Sequence, residues 1–202
     1  TRKLINGTFD WVYEEEFNCR DGFRWSPDGT MIAFWQVDAT KIKDYYMLNT
    51  TDSNYSQVIP VEYPKVGESP SAVKIGVVNI NTKNVKWMDI AGDPQQHYLP
   101  RMEWAAKNEL VVQQLNRKQQ ESKLIYCNVT DGKARVFWTE NNQAWVDLNT
   151  SDPKGWNWIN DGKEFIWVSE KDGWRHIYKI SRDGTAEIDL TTGTYDIEEI
   201  KC

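Results

Sequence analysis

The chain has 202 residues, 40% hydrophobic and 13% aromatic with 11 Trp, which excludes a disordered chain and favours β-structure, where aromatic side chains pack well. A net charge of -6 with scattered Lys and Arg leaves no basic stripe to neutralise phosphates, so nucleic-acid binding is excluded. No apolar run approaches the roughly 20 residues that a membrane-crossing helix needs, and no membrane segment is expected in this chain.

The chain opens Thr1-Arg2-Lys3-Leu4-Ile5, with neither an initiator Met nor a signal peptide, and reads as cut from something longer. In Phe9-Asp10-Trp11-Val12-Tyr13-Glu14-Glu15-Glu16-Phe17, Asp10 can cap a short helix over about 11–19, with Gly22 to end it. Helix neighbours are turned by about 100°, so the three glutamates cannot all face one way, but two adjacent ones can straddle a single cation such as an ammonium group. On spacing alone the simpler account is a solvated acidic helix start, mildly stabilised by the helix dipole. No metal site is expected, because no second cluster of Asp or Asn follows at a regular ligand spacing.

A recurring pattern then organises the chain. Phe23-Arg24-Trp25-Ser26-Pro27-Asp28-Gly29, Met102-Glu103-Trp104-Ala105-Ala106-Lys107-Asn108 and Trp156-Asn157-Trp158-Ile159-Asn160-Asp161-Gly162 each run from an aromatic strand end through a tight turn into an apolar strand. Trp25, Trp104 and Trp158 are 79 and 54 residues apart, the larger gap holding an insertion. Repeats of four short strands at about 40 to 50 residues mark propeller blades. The predicted fold is therefore all-β, an open β-propeller fragment of about three four-stranded antiparallel blades with a short N-terminal helix that carries the glutamates. Its parts are the helix segment 1–22, blades at 23–91, 99–148 and 156–194, and the start of a next blade at 195–202. Residues 38–70, long, polar and tyrosine-rich, read as an arm inserted in the first blade. In the last blade Asp161-Gly162, Asp172-Gly173 and Asp183-Gly184 predict hairpin turns with positive φ at both central residues, separating strands over 163–170, 174–181 and 185–191.

Cys19, Cys127 and Cys202 make no metal spacing, and their odd number reads as free buried thiols. Asn-x-Ser/Thr sequons at Asn6, Asn49, Asn54, Asn128 and Asn149 favour an extracytoplasmic origin, whether periplasmic, secreted or cell-surface. His97 and His176 are expected to be structural.

The stretch Asp10 to Phe17, followed by Trp25-Ser26-Pro27-Asp28-Gly29, resembles the substrate-binding segment of the dipeptidyl peptidase IV branch of the prolyl oligopeptidase family. Tyr63-Pro64-Lys65-Val66-Gly67, Asp172-Gly173-Trp174-Arg175-His176-Ile177-Tyr178 and Thr192-Gly193-Thr194-Tyr195 extend the resemblance over most of the chain. It implies a propeller that caps an α/β-hydrolase domain, the latter absent from this chain, in a serine exopeptidase that releases N-terminal dipeptides with Pro or Ala in second position. By the same resemblance Glu15 and Glu16 bind the α-amine of a peptide substrate, Glu14 points elsewhere, and the arm helps to form a homodimer. The family's arginine-bearing loop falls near 145–149, where this sequence has no arginine. No Gly-x-Ser-x-Gly elbow is present, so no catalytic residue is assigned to this chain and the chain alone is expected to be inactive; no cofactor is expected either. The open ends of the arc are expected to make the chain self-associate. The alternative is a non-enzymatic β-propeller that binds a protein partner.

Overall fold

The computed structural model describes residues 3–148 and 155–201, so the expectations for Asn149 and Cys202 lie outside the described residues. The chain runs β1 (Leu4–Asn6), α1 (Trp11–Phe17), β2 (Phe23–Trp25), β3 (Met31–Asp38), β4 (Asp44–Asn49), β5 (Gln57–Glu62), β6 (Ala72–Asn79) and β7 (Val85–Trp87). It continues through β8 (His97–Ala106), β9 (Glu109–Asn116), β10 (Glu121–Asn128), β11 (Ala134–Asn141), β12 (Asn157–Ile159), β13 (Glu164–Ser169), β14 (His176–Ser181) and β15 (Glu187–Asp189).

These strands form three consecutive antiparallel sheets, an arc of a β-propeller. In the first, β1 and β2 both pair with β3, Leu4 opposite Asp38 and Phe23 opposite Phe34, and β6 and β7 follow on the other side. One strand position is thus filled by two short pieces, and α1 is the excursion between them. The sequence starts this blade at Phe23; as folded, the sheet also takes in Leu4–Asn6, because both pieces are needed to satisfy the eight-residue β3. Gly22 belongs to this junction. Its N–H donates to Gly7 O at 3.1 Å, and a Cβ there would lie 2.5 Å from the Gly7 carbonyl carbon.

The second sheet has the order β11-β10-β9-β8 and the third β12-β13-β14-β15. Alternation of side chains explains how the sheets stack. In the first sheet Ala33, Trp35, Val37, Val73, Ile75 and Val77 share one buried face, against Leu110, Val112, Ile125 and Cys127 of the second. The opposite face of the second sheet offers Val111, Leu124 and Tyr126 to Phe165, Trp167, Tyr178 and Ile180 of the third. Buried on both sides, β9 and β10 each hold a short unbroken apolar run, at 110–112 and 124–127. Polar contacts pin the same seams: Trp35 Nε1 donates to Leu99 O at 2.7 Å, Arg24 Nε to Glu103 at 2.8 Å, and Trp167 Nε1 to Glu140 at 2.7 Å.

Strands β4 and β5 form a separate two-stranded hairpin within 38–70, with Tyr46, Leu48, Tyr55 and Val58 exposed. Past Asp189 the described residues form no further strand.

Two local expectations are corrected. The helix ends at Phe17 rather than near Cys19, and its stop is Asn18, not Gly22: Asn18 takes φ 51°, and the Cys19 N–H reaches Tyr13 O at 3.0 Å. Asn enters the left-handed region at little cost, so the helix needs no glycine. Two of the three Asp-Gly turns also differ, while Asp161-Gly162 has positive φ at both residues as expected. At 172–173 and 183–184 only the glycine has positive φ, while the Asp side chain accepts from backbone N–H groups ahead, as Asp183 does from Thr185 N at 3.1 Å. Between β12 and β13, Asn160, Asp161 and Gly162 are all left-handed. A side-chain-to-backbone bond makes the turn in the first two cases, so the aspartate need not leave the right-handed region.

Candidate ligand-binding site

Helix α1 has seven residues, too few to be stable in isolation, and it is held from three sides. Phe9, Tyr13 and Phe17, four residues apart, form its buried stripe. The Phe9 ring lies 5.2 Å from Trp35, and that of Phe17 4.9 Å from Tyr98, so the stripe wedges between the first two sheets. At its start, buried Asp10 accepts from Tyr13 N at 3.1 Å and from Ser71 Oγ at 2.6 Å. Burial raises the Asp10 pKa, against the lowering effect of those hydrogen bonds. At its end, Arg101 Nη1 donates to Phe17 O and to Pro100 O, both at 2.9 Å, setting a buried cation against the negative pole of the helix.

The hydroxyl of Tyr13 accepts from Leu99 N at 3.0 Å, and burial pushes its pKa well above the ordinary tyrosine value. This bond has a cause in the sheet. Strand β8 bulges between Tyr98 and Arg101, which takes the Leu99 peptide out of the ladder, and Tyr13 and Trp35 satisfy its N–H and C=O instead.

With its back fixed, the helix presents its glutamates outward. Glu14 pairs with Arg20 at 3.3 Å. Glu15 and Glu16 are exposed, and among the described residues neither makes a hydrogen bond or an ion pair. Glu16 borders a cleft of about 310 Å³ with Trp11, Tyr63, Tyr98, Arg117 and Trp145; Glu15 lies outside its walls. Arg117 stacks 5.5 Å over the Tyr98 ring and has no carboxylate partner among the described residues. The cleft can therefore take a ligand with a cationic end beside Glu16 and an apolar or weakly anionic body along the aromatic wall.

Sequence reasoning missed Arg117, and it reached Trp145 only through the 145–149 stretch that the resemblance marks, not as a wall residue. Both sit in loops far along the chain, and no local signal ties them to α1. Trp145 occupies the stretch where the resemblance expects an arginine, so an indole fills that part of the wall. The two histidines lie elsewhere: His97 Nδ1 is 3.0 Å from Gln114 Nε2, and His176 Nδ1 is 2.7 Å from Asp172. His176 with Asp172 and Asp189 brings three donor atoms within 4.8 Å, but the imidazole already bonds to Asp172 and none of the three lines the cleft. Cys19 and Cys127 are free and buried, and burial raises their thiols to about 11 and about 12.

Comparison with known proteins matches residues 1–201 to the family described as the dipeptidyl peptidase IV (DPP IV) N-terminal region. A probable dipeptidyl peptidase 4 of Emericella nidulans is 26% identical over 98% of this chain, which spans 27% of that protein. The inactive dipeptidyl peptidase 10 of Rattus norvegicus is 29% identical over 85% of the chain and 22% of its own length. Among solved structures, dipeptidyl peptidase 4 of Porphyromonas gingivalis superposes with a TM-score of 0.89 at 31% identity, covering 98% of this chain and 28% of that one. The chain thus spans between 22% and 28% of the length of these relatives. From the match along its whole described length and the propeller arc it forms, the chain belongs to the family of dipeptidyl peptidase IV N-terminal regions.

Proposed function

We propose that this chain is the substrate-anchoring propeller part of a serine exopeptidase that releases N-terminal dipeptides, often X-Pro or X-Ala, and that Glu15 and Glu16 hold the substrate α-amine. One observation carries the reading. Of three consecutive glutamates on a helix locked between two sheets, Glu14 is neutralised by Arg20, while Glu15 and Glu16 are left exposed and unpaired, Glu16 at the edge of a cleft. Two charge-assisted hydrogen bonds fix an ammonium group, and the scissile carbonyl then lies a set distance away, at a nucleophile supplied by an α/β-hydrolase domain outside this chain. Self-association and an extracytoplasmic location belong to the same reading.

The test uses the full-length product of the gene that encodes this chain, with a Gly-Pro chromogenic substrate. A charged hydrogen bond contributes about 1.5 to 3 kcal/mol, so Glu15→Ala or Glu16→Ala should lower kcat/KM by roughly 10- to 150-fold. Near-normal rates for both would overturn the assignment. The 202-residue chain by itself should release no chromophore, and turnover with contamination excluded would count equally against it.

A second reading, a non-enzymatic propeller that binds a protein partner, is favoured by the rat relative described as inactive. Coding sequence past Cys202 separates the two. A Gly-x-Ser-x-Gly elbow followed by Asp and His supports the peptidase, and a serine-less counterpart supports the binding module.

A further inference from the structure

Two contacts tie the glutamate helix to the neck of the projecting arm. Ser71, directly after the last residue of the arm, donates its hydroxyl to Asp10 at 2.6 Å, and both side chains are buried. The next residue of the helix, Trp11, packs its ring 4.4 Å from that of Tyr63. Tyr63 in turn lies 5.7 Å from Tyr45 of β4, and its N–H bonds to Lys43 O at 3.3 Å, closing the base of the hairpin. Three rings, Tyr45, Tyr63 and Trp11, therefore connect the arm to the helix.

Trp11 and Glu15 are one turn apart on the same helix face, as are Val12 and Glu16. The stripe of Phe9, Tyr13 and Phe17 fixes the back of α1, but a seven-residue helix has few internal bonds to resist rotation about that stripe. The flank that ends in Glu15 is held at Trp11, against Tyr63. The first turn is held at Asp10, by Ser71.

We propose that Tyr63 and Ser71 are positioning residues for the amine anchor: they set the rotation and the starting point of α1, and through it the placement of the Glu15 and Glu16 carboxylates. The proposal rests on the amine-anchor reading above. A neck that only stabilised the fold would change the amount of active protein, whereas a positioning neck changes how the carboxylates meet the ligand. Because Tyr63 also borders the cleft, direct contact with the ligand is the rival to be separated.

The experiment measures binding of free Ala-Pro and of N-acetyl-Ala-Pro to the full-length gene product by calorimetry. Tyr63→Ala, Ser71→Ala and Tyr63→Phe are each made in the natural background and together with Glu15→Gln and Glu16→Gln. A displacement near 1 Å of a positioning group can cost about 100-fold, so Tyr63→Ala should weaken Ala-Pro binding by about 10- to 100-fold, with Tyr63→Phe recovering most of it. In the double-Gln background Tyr63→Ala should have almost no further effect, because residues acting through one another are not additive. Ser71→Ala removes one hydroxyl and little packing, and it gives the same comparison should Tyr63→Ala not fold. Equal losses in both backgrounds would mark a direct contact or a general structural role, and no loss at all would remove the coupling; either overturns the proposal. Double-Gln protein that still prefers Ala-Pro to its acetylated form overturns the anchor reading itself, and this proposal with it. Natural protein with no such preference does the same.

Discussion

Replacing Tyr13 by Phe removes one oxygen atom and leaves the ring in place among Phe9, Phe17 and Tyr98. That oxygen is the acceptor for the Leu99 N–H at 3.0 Å, in a site where Tyr13 and Leu99 have no exposed surface. Since the bulge in β8 already denies Leu99 a ladder partner, the substitution strands a buried N–H. A buried donor left without an acceptor costs about 1 to 3 kcal/mol. In a domain of this size each kcal/mol shifts Tm by about 2 to 4 °C, so the expected loss is roughly 2 to 12 °C.

The assay is denaturant unfolding of the chain, followed by tryptophan fluorescence, with amide hydrogen exchange at Leu99 as a local readout. The midpoint should fall with the slope unchanged, and the Leu99 amide should exchange faster than its neighbours in β8. Tyr55→Phe, on an 87% exposed side chain, is the control and should stay within about 0.5 kcal/mol of the natural chain. Tyr13→Phe as stable as that control, with Leu99 exchange unaltered, would refute the bulge-satisfaction argument.

Much of this architecture is legible from local patterns. The aromatic–turn–apolar repeat marks the sheets because strand alternation and turn chemistry are short-range, and Asp10 is recognisable as a cap because its partner, Tyr13 N, is three residues away. The rest depends on tertiary contacts. Glycine at position 22 looks like a helix stop, yet its role is to let two pieces of one strand meet at Gly7. Glu14 is distinguished from its neighbours by Arg20, and no spacing rule states which of three glutamates a later arginine will take. Arg117 and Trp145 reach the cleft only because β8 to β11 fold back beside α1.

Three further outcomes follow from the same contacts. Asp183, whose pKa is lowered to about 2 by hydrogen bonds from Ser181 and Thr185, stabilises its turn when ionised. Its contribution is complete above the unfolded value near 3.9 and is lost as pH falls through about 2, so the gap in stability between the natural chain and Asp183→Leu should be constant from pH 7 to about 4 and narrow below that; a gap that instead widens on acidification contradicts this sign. Cys19 and Cys127, with thiols raised to about 11 and about 12, should resist iodoacetamide at pH 8 in the folded chain and react once urea unfolds it, as read by peptide mass spectrometry; rapid labelling of either in the folded chain would disprove their burial. Phe23, Trp25, Ile32, Phe34, Val78 and Val85 form an apolar outer face on the first sheet, with Trp25 53% exposed, so the chain should sediment above monomer mass and Trp25→Glu should lower that mass. A strictly monomeric natural chain at high concentration would count against this.

The location of the glutamates has a physical logic that their sequence conceals. A seven-residue acidic helix is a poor place to hold two unpaired carboxylates, since like charges at one helix end repel and the helix cannot resist by its own bonds. Here the repulsion is opposed from outside the helix. Aromatic residues of the stripe enter a core made by the first and second sheets, Arg101 from the second sheet closes the C-terminal end, and Ser71, just before β6, holds the cap. The placement of the glutamates is thus a property of the seam between two blades and not of the Glu-Glu-Glu run alone. The same run on a free peptide would be a solvated acidic segment, and a substitution that opens the seam at Trp35 or Leu99 should disperse the carboxylates even though every glutamate remains.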